Sequence, residues 1–135
     1  MRQVNFKQVV IMSAHRSKID PVANNKASKE LEENVSVLGL TAHEALGVYK
    51  GRPEVSYVIP IDNDEQLRQL MWAAFIIHGQ ESILHQDAHG DAWLHYESKP
   101  KELIGKLRAT TKAQALKHDG YTVFNDVYYT TGVQL

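Results

Sequence analysis

The stretch from Tyr49 to Ile61, YKGRPEVSYVIPI, constrains the fold of this chain more than any other. It opens with a turn signal at Gly51 and Pro53 and continues with β-branched and aromatic residues, as a strand entered from a turn does. A strand alternates its faces with period two. The alternation gives a core set and an opposite set, which are Val55, Tyr57, Ile59, Ile61 and Glu54, Ser56, Val58, Pro60. The second set begins with a carboxylate and a hydroxyl beside a loop, which is typical of a functional site and also of a solvated strand end.

Composition narrows the class of protein. The chain has 135 residues, 43% of them hydrophobic, and a formal net charge of −1, which fits a single α/β domain over residues 1–135. The sequence contains no cysteine, so disulfides, thiolate catalysis and cysteine-ligated metal sites are excluded. No apolar run reaches membrane-spanning length, and the N-terminus lacks the apolar core of a secretion signal. We therefore expect a cytoplasmic protein that binds a small molecule or a protein, with no membrane or nucleic-acid partner.

Local patterns predict the order of elements. Residues 8–14 are apolar on both faces and predict a covered strand, whereas residues 24–38 carry one apolar stripe and predict a helix. A short strand at 47–51 pairs with the strand described above as a hairpin. Capping signals at Asp62 or Asn63 start a helix that ends at Gly79, and its residues 71–77 are apolar nearly all round, which predicts burial beneath other elements or against another subunit.

The remaining elements complete the predicted architecture. Residues 80–86 and 92–96 predict two antiparallel strands, Pro100 predicts a helix carrying Leu103, Ile104 and Leu107, and residues 121–130 predict a last strand or arm. The first 87 residues then read strand, helix, strand, strand, helix, strand, which is the ferredoxin-like α/β sandwich of class α+β, an antiparallel sheet with two helices on one face. The other face must be covered by the C-terminal segment at about 100–135, by other subunits, or by both.

Three segments carry a resemblance to a known family. They are SAHRS at 13–17 after an apolar strand, GVYKGRPEVS at 47–56, and QESIL at 80–84 after an apolar helix. In this order and spacing, over roughly residues 8–97, the chain resembles the bacteriophage S-adenosylmethionine (SAM) lyases, formerly called SAM hydrolases. The C-terminal 35 or so residues match no segment of the family.

The resemblance implies a PII-like homotrimer with active sites at subunit interfaces. It implies conversion of SAM to 5′-methylthioadenosine and L-homoserine lactone, and a role in phage counter-defence, because removing the methyl donor disables some restriction–modification systems. The substrate carboxylate can attack its own γ-carbon, so the reaction needs positioning and no cofactor or metal.

The chemistry of that substrate selects candidate residues. Its ammonium needs an anion, and the candidates are Glu54 and Glu81, the predicted catalytic residues. Hydroxyl, cationic and aromatic groups near the same segments are substrate-binding candidates, which are Ser13, Arg16, Ser56, Ser82, Tyr49 and Tyr57. Tyr57 is the weaker tyrosine because its predicted face is the core.

Other functions compete with this interpretation. His85, His89 and His95 surround one predicted hairpin, but the spacing does not place them on one face, so a solvated hairpin tip is favoured over a metal site. No nucleophile elbow or phosphate-binding glycine loop is present. A SAM hydrolase that releases homoserine, and a non-catalytic module that binds a small ligand or a host protein, stay open as alternatives.

Overall fold

The structure is a computed structural model that describes residues 8–15 and 20–131. Its strands are β1 (Val9–Met12), β2 (His43–Tyr49), β3 (Arg52–Pro60), β4 (Ser82–Gln86), β5 (Asp91–Tyr96), β6 (Glu102–Lys106), β7 (Arg108–Thr110), β8 (Gly120–Phe124) and β9 (Val127–Thr130). The helices are α1 (Pro21–Val37), α2 (Asp64–Trp72), which continues as a π-helical segment at Ala73–Ile77, and α3 (Lys112–Ala115). None of the described helices is long and apolar enough to cross a membrane.

The described strands form one antiparallel sheet in the order β6-β5-β4-β1-β3-β2-β8-β9-β7. The two outermost strands, β6 and β7, are separated in the chain by Leu107 alone. A single residue cannot span a flat sheet of nine strands, so the sheet curls until its edges meet and becomes a nearly closed barrel. Leu107 packs on an inner cluster that contains Val9, Val58 and Phe124.

The helices cover the outside of this barrel. A second cluster joins the opposite faces of β1, β3 and β4 to α1 and α2. Its fully buried members, each 0% exposed, include Val10, Ile59, Leu31 and Leu70. The alternation predicted for β3 is confirmed, because Val55, Tyr57, Ile59 and Ile61 lie in the helix-side cluster and Val58 lies in the inner one.

The predicted ferredoxin-like α/β sandwich, and with it the PII-like architecture, is wrong. The sheet has nine strands and is barrel-like, because residues 102–130 add strands at both ends of it. Residues 102–106 form β6 instead of the helix expected after Pro100, and residues 43–46 extend β2 ahead of the short strand expected at 47–51. The second face had been left to the C-terminal segment, to other subunits, or to both, and in this barrel Phe124 and Tyr129 of the C-terminal strands pack in the inner cluster.

Turns and caps explain why the hairpins and helices start where they do. The β2–β3 turn has positive φ at Lys50 (51°) and Gly51 (78°), and the β8–β9 turn has the same at Asn125 (52°) and Asp126 (61°), as two-residue hairpin turns require. At α2, the side chain of Asn63 accepts a hydrogen bond of 2.9 Å from the backbone of Gln66, so the predicted helix start is confirmed.

Candidate active site

Three strands, β3, β1 and β4, bring their ends together at one rim of the barrel. Strand β1 pairs with β3 up to Met12↔Tyr57 and with β4 up to Ile11↔Leu84. Continued by one or two residues, these registers place Ser13 between Ser56 and Ser82. The three hydroxyl residues therefore form a serine row across β3, β1 and β4, on the face that is inside the barrel.

Ser13 is held in this row by hydrogen bonds. Its hydroxyl donates to the carbonyl oxygen of Val55 at 2.6 Å and accepts from the backbone of His15 at 2.9 Å. Both Ser13 and Ser56 are buried, at 4% and 5% exposed. The hydroxyl of Ser13 is therefore positioned by β3 and is not free to rotate as a surface serine would be.

Glu54 lies two residues from Ser56 on the same inner face. Its partner across the hairpin is Gly47, and a Cβ on Gly47 would collide with the hydroxyl of Ser56 and lie 3.7 Å from Cγ of Glu54. The absence of a side chain at Gly47 therefore leaves the space that these two groups occupy. Burial raises the pKa of Glu54 above its ordinary value, because a half-buried carboxylate loses hydration.

Glu81 lies at the same rim but in a different environment. It is exposed and directly precedes β4. The neighbouring Gln80 donates from its side-chain amide to the carbonyl of His15 at 3.0 Å, so this segment lies beside the end of β1. The two predicted carboxylates thus flank the serine row, one half-buried in the barrel and one at the surface.

The two tyrosine candidates lie in different environments, one exposed at the rim and the other buried on the helix side. Tyr49 ends β2 opposite Arg52, on the inner face, and is 60% exposed. Its ring is 5.3 Å from the ammonium of Lys50, so it already presents a face to a cation. Tyr57 lies on the helix side, is 2% exposed, and donates to the carbonyl of Ser28 at 3.4 Å. Arg16 falls outside the described residues.

Three further residues at this rim were missed by the sequence interpretation. Gly47 could have been found, because a glycine inside a strand pattern signals close approach. Tyr96 pairs with Ser82, and its hydroxyl donates to Glu102 at 3.1 Å, which no sequence pattern shows. The Nε2 atom of His15 is buried and has no hydrogen-bond partner among the described residues, which makes it available to a bound molecule.

The rim can therefore bind a cationic, hydrogen-bonding molecule. It offers a desolvated carboxylate, a row of hydroxyls and an accessible aromatic face. A cleft of about 380 Å³ lies instead on the helix side of the sheet and contains none of the predicted site residues.

Comparison with known proteins identifies the family to which this chain belongs. The profile of the S-Adenosylmethionine lyase family matches residues 10–132, whereas a search of curated proteins finds no match. The matched region includes the C-terminal strands, which showed no resemblance in the sequence, and all the described site residues. The predicted family is confirmed, and the bacteriophage origin stays a prediction. The chain belongs to the S-adenosylmethionine lyase family, and is thereby a lyase that acts on SAM.

Proposed function

We propose that this protein cleaves SAM to 5′-methylthioadenosine and L-homoserine lactone. The substrate's carboxylate oxygen attacks its γ-carbon, the bond from that carbon to sulfur breaks, and the bonding electrons pass to sulfur. The carboxylate and the sulfonium lose their charges together, and no proton, metal or redox step is required. The observation that carries the proposal is the half-buried carboxylate of Glu54 beside the serine row in a member of this family.

The proposed roles follow from the environment of each group. Glu54 binds the substrate ammonium, because a desolvated carboxylate interacts more strongly with a cation than a hydrated one. Ser13, Ser56 and Ser82 hydrogen-bond the folded-back methionine arm, and Tyr49 faces the sulfonium or the adenine. Holding the arm near its attack geometry can contribute roughly 7–11 kcal/mol in favourable systems.

Glu81 and Arg16 have secondary roles in this proposal. Glu81 is exposed and is suited to a ribose hydroxyl or to the approaching cation. Arg16 would orient the substrate carboxylate, with a weak interaction, because tight pairing would reduce its nucleophilicity. Tyr57 contributes to packing on the helix side.

We also propose a homotrimer whose interfaces complete the sites. The support is the apolar stretch that joins the end of α2 to the π-helical segment. Two of its side chains, Trp72 and Ile76, are each 59% exposed. Large apolar side chains exposed together are typical of an interaction surface. Replacing Trp72 by Glu is expected to give monomers by light scattering, while Val37→Glu, at an 86% exposed position at the end of α1, keeps the oligomer. Monomeric wild-type protein would contradict this assembly.

The biological role that fits such an enzyme is phage counter-defence in a host bacterial cytoplasm. Cleavage of SAM would deprive restriction–modification systems of the molecule that they use as methyl donor or cofactor. Expression in a host with such a system should raise the plating efficiency of unmodified phage, and a Glu54→Gln variant should not. Equal plating with both proteins would argue against this role.

One experiment separates the proposed reaction from its alternatives. Purified protein is incubated with SAM in ¹⁸O-labelled water without added metal, and the products are analysed promptly by mass spectrometry. Methylthioadenosine with unlabelled homoserine lactone supports self-attack. Homoserine labelled at its hydroxyl from the start supports a hydrolase, and unchanged SAM supports a non-catalytic module that binds a small ligand or a host protein.

A further inference from the structure

A cleft of about 380 Å³ opens on the helix side of the sheet, on the opposite face from the serine row. It lies between the first turns of α2, the β4–β5 hairpin and the segment before β6. His85 and His95 form its floor, with ring centroids 5.5 Å apart, and Trp93 and Lys101 form one wall. The reaction proposed above uses none of these side chains.

His95 lines this cleft and has one ring nitrogen without a hydrogen-bond partner among the described residues. The residue is 8% exposed, and its Nε2 atom is buried without a hydrogen-bond partner among the described residues. The neighbouring His85 differs, because its Nε2 atom lies 3.0 Å from the side-chain oxygen of Gln8. A buried polar atom without a partner costs free energy, so a bound molecule that reaches Nε2 of His95 would gain that interaction.

The same cleft is also lined by a cation, the side chain of Lys101. The ammonium of Lys101 lies 4.4 Å from the centroid of the Trp93 ring, which forms the cleft wall. Burial lowers the pKa of His95, and the nearby charges of His85 and Lys101 lower it further. A neutral imidazole that donates from Nε2 and a lysine ammonium together make two donors for one acceptor.

We propose that this cleft binds a small oxyanion, a carboxylate or a phosphate-like group, between Nε2 of His95 and the ammonium of Lys101. An oxyanion accepts from both donors, whereas a cation would be repelled by Lys101. A metal ion is also disfavoured, because no group of three or more metal-ligating side chains occurs in the described part of the chain.

The other charged groups at the cleft leave room for an anion. Asp87 already accepts from the indole of Trp93 at 3.0 Å and from the backbones of His89 and Asp91 at 2.9 and 3.0 Å. Its carboxylate is therefore satisfied and its pKa is lowered, although burial alone would raise it.

Two helix residues complete this electrostatic environment. Arg68 is paired with Glu65 at 2.7 Å. Asp64 is an exposed residue of the first turn of α2, and its charge, like that of Asp87, partly offsets the lowering of the pKa of His85 by burial.

The test is a titration of the full chain with sodium sulfate. Binding is monitored through the imidazole NMR signals of ¹⁵N-labelled histidines. Sulfate keeps its charge across the working pH range, so pH changes report on the protein. We expect a saturable shift of His95, and binding that tightens as the pH falls towards the lowered pKa of His95, because a protonated imidazole adds a positive charge to the same site. Acetate in place of sulfate distinguishes a carboxylate site from a tetrahedral-anion site.

Variants identify the two donors. Lys101→Met should weaken sulfate binding about tenfold, while Lys99→Met should leave it unchanged, because Lys99 lies over Tyr96 and not over Trp93. His95→Phe keeps a ring against His85 and should abolish binding. Both lysines are exposed, so neither substitution endangers the fold.

Three results would overturn the proposal. They are a non-saturating shift, an unchanged affinity in Lys101→Met, and displacement of sulfate by S-adenosylhomocysteine, which would assign the cleft to the substrate site. Because the titration measures no turnover, it can fail or succeed independently of the proposed lyase reaction.

Discussion

The hydroxyl of Ser13 donates a 2.6 Å hydrogen bond to the carbonyl oxygen of Val55, one residue beyond the last pair of β1 and β3. The side chain thereby continues the attachment of β1 to β3 after the backbone pairing has ended. The hydroxyl oxygen of Ser13 also accepts a hydrogen bond from the backbone N–H of His15. One hydroxyl thus fixes the end of β1 beside Glu54 and Ser56, the groups that the proposed reaction uses.

Ser13→Ala should destabilise the fold. Its removal leaves the carbonyl of Val55 and the backbone of His15 without this partner, and we expect a loss of about 1–3 kcal/mol in the free energy of unfolding. Urea unfolding measures it. Ser82→Ala removes a half-buried hydroxyl from the same row and is the matched control, with a smaller expected loss. Equal losses would show that the bonds of Ser13 are not the cause.

Glu54→Gln should lower the rate of SAM cleavage by about 100-fold or more, since a neutral amide no longer attracts the ammonium. Glu44→Gln is the control, because Glu44 is an exposed carboxylate on the adjacent strand that pairs with Tyr57 and faces away from the rim. Product formation is followed by chromatography of methylthioadenosine. If Glu54→Gln retains full turnover while Glu81→Gln loses it, the roles of the two carboxylates are exchanged.

The raised pKa of Glu54 predicts opposite effects of pH on activity and on stability. Activity should fall as the pH drops through the raised pKa, which lies above the ordinary 4.5. Between the two pKa values the folded chain binds more protons than the unfolded one, so this group costs stability as pH rises. The thermal midpoint of Glu54→Gln relative to wild type should therefore increase from pH 4 towards pH 7, about the range in which carboxyl groups titrate. A constant difference would contradict the assigned pKa.

Gly47→Ala should be coupled to Ser56. The new Cβ meets the hydroxyl of Ser56, and an overpacked buried site typically costs about 1–3 kcal/mol. Ser56→Ala removes the obstructing oxygen, so the double variant should recover most of that cost. A double-mutant cycle in urea measures the coupling, for which about 0.5–3 kcal/mol is typical of contacting residues. Additive losses would exclude the contact as the reason for a glycine here.

His78 should oppose folding at acid pH. Burial lowers its pKa, an effect that the charge of Glu30 partly offsets, and the side-chain amide of Asn34 lies 3.2 Å from its Nε2. A lowered folded pKa means that the unfolded chain binds more protons, so stability rises with pH until the ordinary value of 6.5. Asn34→Asp should raise the pKa of His78 in an NMR titration and reduce this dependence. An unchanged pKa would show that the two side chains do not interact in solution.

The parts of the fold that were predicted depend on local signals. The alternation of residues 54–61 identifies both faces of β3, and the Asn63–Gln66 pattern identifies the start of α2. The strand alternation beside a loop pointed to Glu54 and Ser56, the family resemblance added Ser13, and only the register of β1 with β3 explains how they meet.

The parts that were missed depend on distant pairing. Residues 43–46 carry no strong strand pattern, yet β2 is extended by pairing with β3, and Leu46 pairs with Val123 far along the chain. Leu103, Ile104 and Leu107 have helical spacing, but pairing with β5 makes residues 102–106 a strand, and Gly105 adopts a φ of 110° there. Tertiary contacts outweighed local preference at both places.

Leu107 also has a consequence for the order of folding and for association. Because this one residue connects the two outermost strands, the barrel cannot close before strands from both ends of the sequence are in place, and such non-local closure makes folding slow. Once the barrel is closed, β6 and β7 follow each other end to end through Leu107, so that one continuous segment pairs with β5 before this residue and with β9 after it. The folding intermediates, with their edges still apart, are the species in which this chain is most exposed to aggregation.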